Sequence, residues 1–186
     1  MSNPFYDLYN AMKRSEKEVL ISGSGATPQG KNEKNRSGQS YLYKQHGMES
    51  EVIEIRLKKK VSGSFLNQAL QTSIKRYPYF NTRLVERDGD FYIIQNAQSL
   101  VARRTKTLAR LGHISCGCHL VDITYYDCSI YVSFHHALCD GRGIMPFVET
   151  LIYYYCNLAY GTEPLPEGVR QADDPLLPGE TDDPFL

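Results

Sequence analysis

The side chains best able to do chemistry sit close together late in the chain: His135, His136, Cys139 and Asp140, with Gly141 and Gly143 beside them. An imidazole titrates near neutral pH. It can take a proton from a hydroxyl or an amine as that group attacks a carbonyl, then return it to a leaving group. The bland reading of a histidine at a strand end is a ring merely hydrogen-bonded to its surroundings, and for His135 that reading stays ahead. Asp140 can serve as a turn or helix-cap residue with no chemistry at all. A Cys139–His136 nucleophile pair lacks an orienting third group in the sequence and is set aside.

The elements around these residues put them where sites form. Ile130, Val132 and Phe134 alternate with Ser129, Tyr131 and Ser133, which is strand periodicity with one apolar face. Asp140-Gly141 with Gly143 close behind marks a chain reversal. Ile144, Phe147, Val148, Leu151, Ile152 and Tyr155 then recur at helical spacing. Two histidines at the C-terminal end of a buried strand, before a turn into a helix, occupy a favoured place for ligands in sheet proteins.

The spacing His135-His136-Ala137-Leu138-Cys139-Asp140-Gly141, His-His-x-x-x-Asp-Gly, resembles the signature of the chloramphenicol-acetyltransferase-like superfamily. That superfamily comprises CoA-dependent acyltransferases, alcohol acetyltransferases and peptide-synthetase condensation domains. A second match lies upstream, where Lys75-Arg76-Tyr77-Pro78-Tyr79-Phe80 leads into Thr82-Arg83-Leu84. The resemblance covers roughly residues 41–186. It implies direct acyl transfer from acyl-CoA or a carrier-protein thioester to a small alcohol or amine, with no covalent acyl-enzyme. By motif position His136 is the general base and His135 supports the site. Asp140 is then structural, with Arg76 or Arg83 as its partner, and Gly141 lets the loop turn tightly against the site. No resident cofactor is implied and no CoA-contacting residue can be assigned; acyl-CoA is a co-substrate. Two-lobed members are more than twice as long as this chain. The expectation is therefore the N-terminal half of such an enzyme, completed by a C-terminal lobe or by a homo-oligomer. Failing that, it is a catalytically incomplete half or a non-catalytic binding module.

Composition agrees with a globular domain: 186 residues, 41% hydrophobic, 14 Tyr and no Trp. No apolar run approaches a membrane span, and the N-terminus has no signal-peptide pattern, so a cytoplasmic protein is expected. Residues 1–160 carry a net charge of +6 and residues 161–186 a net charge of −6. A moderately basic body suits phosphates, with Arg103, Arg104 and Lys106 either meeting them or forming an exposed edge. Nothing has the density of a nucleic-acid patch. Five cysteines read as free thiols. His113, Cys116, Cys118 and His119 cluster, but Cys-x-Cys-His is not a standard zinc spacing. Strand alternation would place both cysteines on one packed face, so no metal is expected.

In chain order, residues 4–20 suggest a short amphipathic helix and 22–40 a flexible polar linker, together the segment 1–40. Residues 41–160 are the acyltransferase-like lobe. They begin with a strand at Ile53, Ile55 and Leu57. A helix follows, capped by Ser62 or Ser64 and stopped by Pro78. Two hairpins turn at Asp88-Gly89 and Asp127-Cys128. A final helix runs from about Arg142 to Ala159, with Pro146 in its first turn. Residues 161–186, acidic and with five of the nine prolines, read as an extended connection. This order predicts an α+β two-layer sandwich, a mixed and largely antiparallel sheet with helices packed on it.

Overall fold

The computed structural model describes residues 50–87, 90–161, 164–177 and 180. The expected N-terminal helix, the polar linker and the Asp88-Gly89 turn lie outside them. The described elements run β1 (Ser50–Arg56), α1 (Gly63–Arg76), β2 (Thr82–Arg87), β3 (Asp90–Gln95), β4 (Arg103–Arg104), β5 (Val121–Tyr126), β6 (Ser129–His135) and α2 (Gly141–Tyr160). Four strands form a sheet in the order β1-β6-β5-β4, and β2 pairs with β3 in a separate hairpin. All neighbours are antiparallel except β4 and β5. The mixed sheet and its helices are the α+β arrangement that the sequence predicts.

Alternation builds the core. Ile55 pairs across β6 with Ile130, and Ile53 with Val132. On the other side Ile123 pairs with Val132, and Val121 with Phe134. All except Ile53 are buried, which leaves the opposite parity for Glu54, Tyr131 and Asp122. Helix α1 buries Leu66, Ala69, Leu70 and Ser73 on one stripe and packs beside α2. Ser62 caps α1, its side chain accepting from the Phe65 amide at 3.5 Å. Gly63 starts the helix directly under the Tyr125 ring, on which an added Cβ would fall. Tyr77 and Phe80, just past α1, meet Phe147 of α2 at ring-centroid distances of 5.9 and 5.2 Å. Such an aromatic cluster locks the two helices together.

Four features differ from the sequence reading. Pro146 lies inside α2, beyond its first turn, in a helix that starts at Gly141. Its ring is on the exposed side, so the missing N–H costs the core nothing. Residues 113–119 are not a strand. They form a 3-10 turn, Ile114–Cys116, followed by left-handed residues at Gly117 (φ 64) and Cys118 (φ 61). The two cysteines therefore do not share a strand face. His119 is buried there. Its Nδ1 lies 3.0 Å from the Cys116 carbonyl oxygen, and its Nε2 lies 3.0 Å from both Asn81 Oδ1 and the Gln98 carbonyl. Asn81 Nδ2 donates to the Asn96 carbonyl, which turns Oδ1 toward the ring. The imidazole thus ties three chain segments together, and both ring nitrogens face acceptors. Among the described residues no His, Cys, Asp and Glu group is placed to hold a metal ion.

The third difference is the basic stretch. Residues 103–104 form β4, and Arg103 donates to the buried Asp122 carboxylate at 2.6 Å. Lys106 sits 4.3 Å over the Tyr126 ring. Of the three cations offered to phosphates, Arg103 is thereby tied to a buried carboxylate, while Lys106 stays exposed over a surface ring. The fourth is the C-terminal connection, which is docked although its described part has neither helix nor strand. Val169 is 5% exposed. Thr150 donates to the Arg170 carbonyl, and the Ala172 amide donates to the Tyr154 hydroxyl at 2.8 Å. Glu180 anchors its far end. Among the described residues no helix is long and apolar enough to cross a membrane.

Candidate functional site

Strand β6 is central, flanked by β1 and β5, and its register fixes where the histidines emerge. Phe134 is the last inward apolar residue and pairs with Glu51 on one side and Val121 on the other. His135 closes the strand, pairing with Ser50, and its amide donates to the Leu120 carbonyl at 2.9 Å. Its Nδ1 accepts from the Ala137 amide at 3.0 Å, and its carbonyl accepts from the Leu138 amide. His135 therefore shapes the turn that follows. The Nδ1 lone pair is used in that bond, so the ring hydrogen sits on Nε2.

His136 is the first residue past the sheet. Its ring stands edge-on to Phe134, 6.3 Å between centroids, and its side chain is 23% exposed. Nε2 lies 3.0 Å from Glu51 Oε1, a carboxylate that is itself 52% exposed. Glu51 was not among the residues singled out from sequence. One signal was available: it shares the strand parity of Ile53 and Ile55, so a carboxylate stands on the apolar side of β1.

Asp140 is the N-cap of α2. Its Oδ1 accepts from the Gly143 amide at 2.7 Å, and its carbonyl accepts from Ile144. That satisfies otherwise orphaned donors of the first turn and sets the helix start. The expected ion pair between Asp140 and an arginine is absent among the described residues. Arg76 is 1% exposed and forms a two-pronged bond with Glu180, both contacts 2.7 Å. Tyr79 adds a hydroxyl donor to the same carboxylate at 2.8 Å. Arg83 is exposed on β2, and its backbone bridges to His119. The crowding in the turn falls on Gly143, where an added Cβ would lie 2.7 Å from that of Cys139. At Gly141 the nearest group is Glu51 Oε2 at 3.5 Å, ordinary contact distance.

Burial, aided by neighbouring carboxylates, keeps the Cys139 thiol neutral. Burial, with the Asp140 and Glu51 carboxylates adding to it, pushes its pKa up to about 12. A thiolate nucleophile needs the opposite environment, so the Cys139–His136 pairing has no electrostatic support. The site brings together His135, His136, Cys139, Asp140, Gly141 and Glu51. Arg76 belongs to a different cluster, and among the described residues Arg83 makes no ion pair with the site.

No protein-family model matches the chain, and no curated protein matches it. Solved structures do. The starter condensation domain of rhizomide synthetase matches with a TM-score of 0.54 and 13% identity, over 71% of this chain and 39% of that one. The SgcC5 protein from Streptomyces globisporus matches with a TM-score of 0.52 and 15% identity, over 71% and 38%. A mutant of the rhizomide domain in complex with C8-CoA and Leu-SNAC matches with a TM-score of 0.53 and 14% identity, over 70% and 36%. The fold is that of part of a condensation domain. The chain spans less than two fifths of the length of each of these structures. At such identities the likeness is one of fold.

Proposed function

We propose that this chain supplies the base-bearing lobe of an acyltransferase. The enzyme moves an acyl group from a CoA or carrier-protein thioester to a hydroxyl or amine acceptor, and His136 is the general base. One observation carries the reading. His136 emerges at the end of the central strand, beside the capped start of α2, in a fold shared with condensation domains. In that place the imidazole can take the acceptor's proton as it attacks the thioester carbonyl. The same proton then passes to the departing thiolate. The oxyanion needs preorganised donors, and water must be kept from the thioester. A second lobe or a second copy of the chain would form the wall that does this. Acyl-CoA as co-substrate draws support from the rhizomide domain that binds C8-CoA. A second reading, a lobe that binds without turnover, draws support from the short span of the match.

The test is thiol release from acetyl-CoA and C8-CoA over a panel of alcohols and amines, with mass in solution measured on the same sample. Turnover that is lost in His136→Ala supports the reading. Full turnover in His136→Ala would sink the base assignment. Acyl-CoA binding with no turnover would favour the second reading.

A further inference from the structure

Three segments converge on the turn between β5 and β6, at the end of the sheet away from His136. Arg56, the last residue of β1, pairs with Ser129, the first of β6. The loop after β1 stays against the turn. The Leu57 amide donates to the Cys128 carbonyl and the Val61 amide to the Asp127 carbonyl, both at 2.8 Å. From the other side Arg104 pairs with Tyr125, and the Thr105 amide donates to the Tyr125 carbonyl at 3.1 Å. These bonds gather Arg56, Lys58, Lys59, Lys60, Arg104 and Lys106 at one end of the sheet, and all six are exposed. Two carboxylates answer them: Glu54, which accepts two bonds from Arg56, and Asp127, 3.9 Å from Lys60 Nζ. Six cations against two carboxylates leave a net charge of +4. Two of the cations lie on aromatic rings. Lys59 is 5.5 Å from the centroid of Tyr160, and Lys106 is 4.3 Å from that of Tyr126, itself 39% exposed.

This end suits a flat array of negative charges better than one compact anion. A bound phosphate is held by convergent donors, whereas these cations stand exposed on three separate stretches of chain. A duplex is gripped along a basic stripe or helix, whereas these cations surround a hairpin turn. Exposed lysines and arginines beside tyrosine rings match the boundary of an anionic bilayer. There the cations meet headgroups, and rings with polar tips sit between water and acyl chains.

We propose that this end of the sheet docks on an anionic lipid surface, of the kind that a phosphatidylserine-bearing leaflet presents. The inference stands apart from the reading of His136 as a base. It does orient that residue. Strand β6 runs seven residues from Ser129 at the docked end to His135 at the other, roughly 20 Å, so a docked chain holds His136 away from the bilayer. The attraction is cumulative over the cations and is screened by salt.

The experiment sediments the full chain with vesicles of phosphatidylcholine alone and with vesicles that also hold about 30% phosphatidylserine. Binding to the anionic vesicles should be at least about tenfold tighter, and should be lost at about 0.5 M salt. Replacing Lys58, Lys59 and Lys60 together with Gln should weaken it at least about tenfold, and Arg104→Gln with Lys106→Gln about fivefold. The second variant lies on the other side of the turn and decides the matter where the first does not fold by circular dichroism. Lys75→Gln, an exposed cation at the far end of α1, should change binding less than about twofold. Equal binding to the two kinds of vesicle overturns the proposal. So does anionic binding that is unchanged in the folded variants at the turn. Poly-glutamate or duplex DNA bound more tightly than the anionic vesicles at the same salt also overturns it, in favour of an acidic protein or a nucleic acid.

Discussion

Replacing Glu180 with Gln removes a charge at the foot of the C-terminal connection while keeping the side chain's size. Its partner Arg76 is 1% exposed and would be left as a buried cation without a carboxylate; among the described residues Nε of that guanidinium already lacks a partner. The Arg76 hydrogen bonds are the main cause that holds the Glu180 carboxyl at about 2, against an ordinary 4.5, with burial opposing them. At about 1.4 kcal/mol per pH unit that gap corresponds to ~3 kcal/mol. Breaking one side of a buried pair falls in the same range, ~3–5 kcal/mol. The sign follows from a folded value below the unfolded one. The contribution is present in full above about 4.5 and is lost as pH falls toward 2. Urea unfolding at pH 7 should therefore show Glu180→Gln less stable by ~3 kcal/mol, with Tm lower by roughly 6–12 °C for a chain of this length. The variant's loss of stability between pH 5 and pH 2 should be shallower than the wild type's. The double variant Arg76→Met with Glu180→Leu should lose less than the two single changes together. A Glu180→Gln stability within about 0.5 kcal/mol of wild type, with an unchanged acid limb, would refute this reading of the Arg76–Glu180 pair.

Three smaller perturbations probe the elements that hold the site. Gly63→Ala should destabilise by about 1–3 kcal/mol in urea, since the new Cβ meets the Tyr125 ring; an unchanged midpoint would mean the ring moves freely. Asp140→Ala should cost about 1 kcal/mol through loss of the Gly143 cap bond, and Asp140→Asn much less, both read by thermal unfolding. Cys139 should react with iodoacetamide at pH 8 at least tenfold more slowly in the native chain than in urea, because its thiol is held up to about 12.

What could be read from the sequence was local. Alternation at Ile130, Val132 and Phe134 placed β6, and the stripe from Phe65 to Ile74 placed α1, because each pattern is the period of the element it forms. Asp140 could be read as a cap for the same reason, its acceptor and the Gly143 donor being three residues apart. Non-local partners left weaker marks. Arg76 and Glu180 are 104 positions apart, and nothing between them announces the pair. Arg103 looked like a surface cation because Asp122, buried on the polar side of β5, enters only through the parallel β4–β5 pairing. Cys116 and Cys118 looked like strand positions because alternation cannot reveal two successive left-handed residues.

The candidate site shows the same division within a few ångströms. The motif from His135 to Gly141 supplies the proposed base, the turn and the cap from one continuous stretch. Its carboxylate partner comes from a strand more than eighty residues earlier. The register of β1 on β6 sets that partner's position: moving β1 by one residue would put Glu51 on the opposite face, and Ile55 would leave the core with it. The packing that fixes Ile55 against Ile130 is thus the packing that keeps Oε1 3.0 Å from Nε2. A change that loosens the core at Ile55 should disturb the His136 ring before it disturbs His135. His135 is held by bonds to Leu120 and to its own turn, neither of which involves β1.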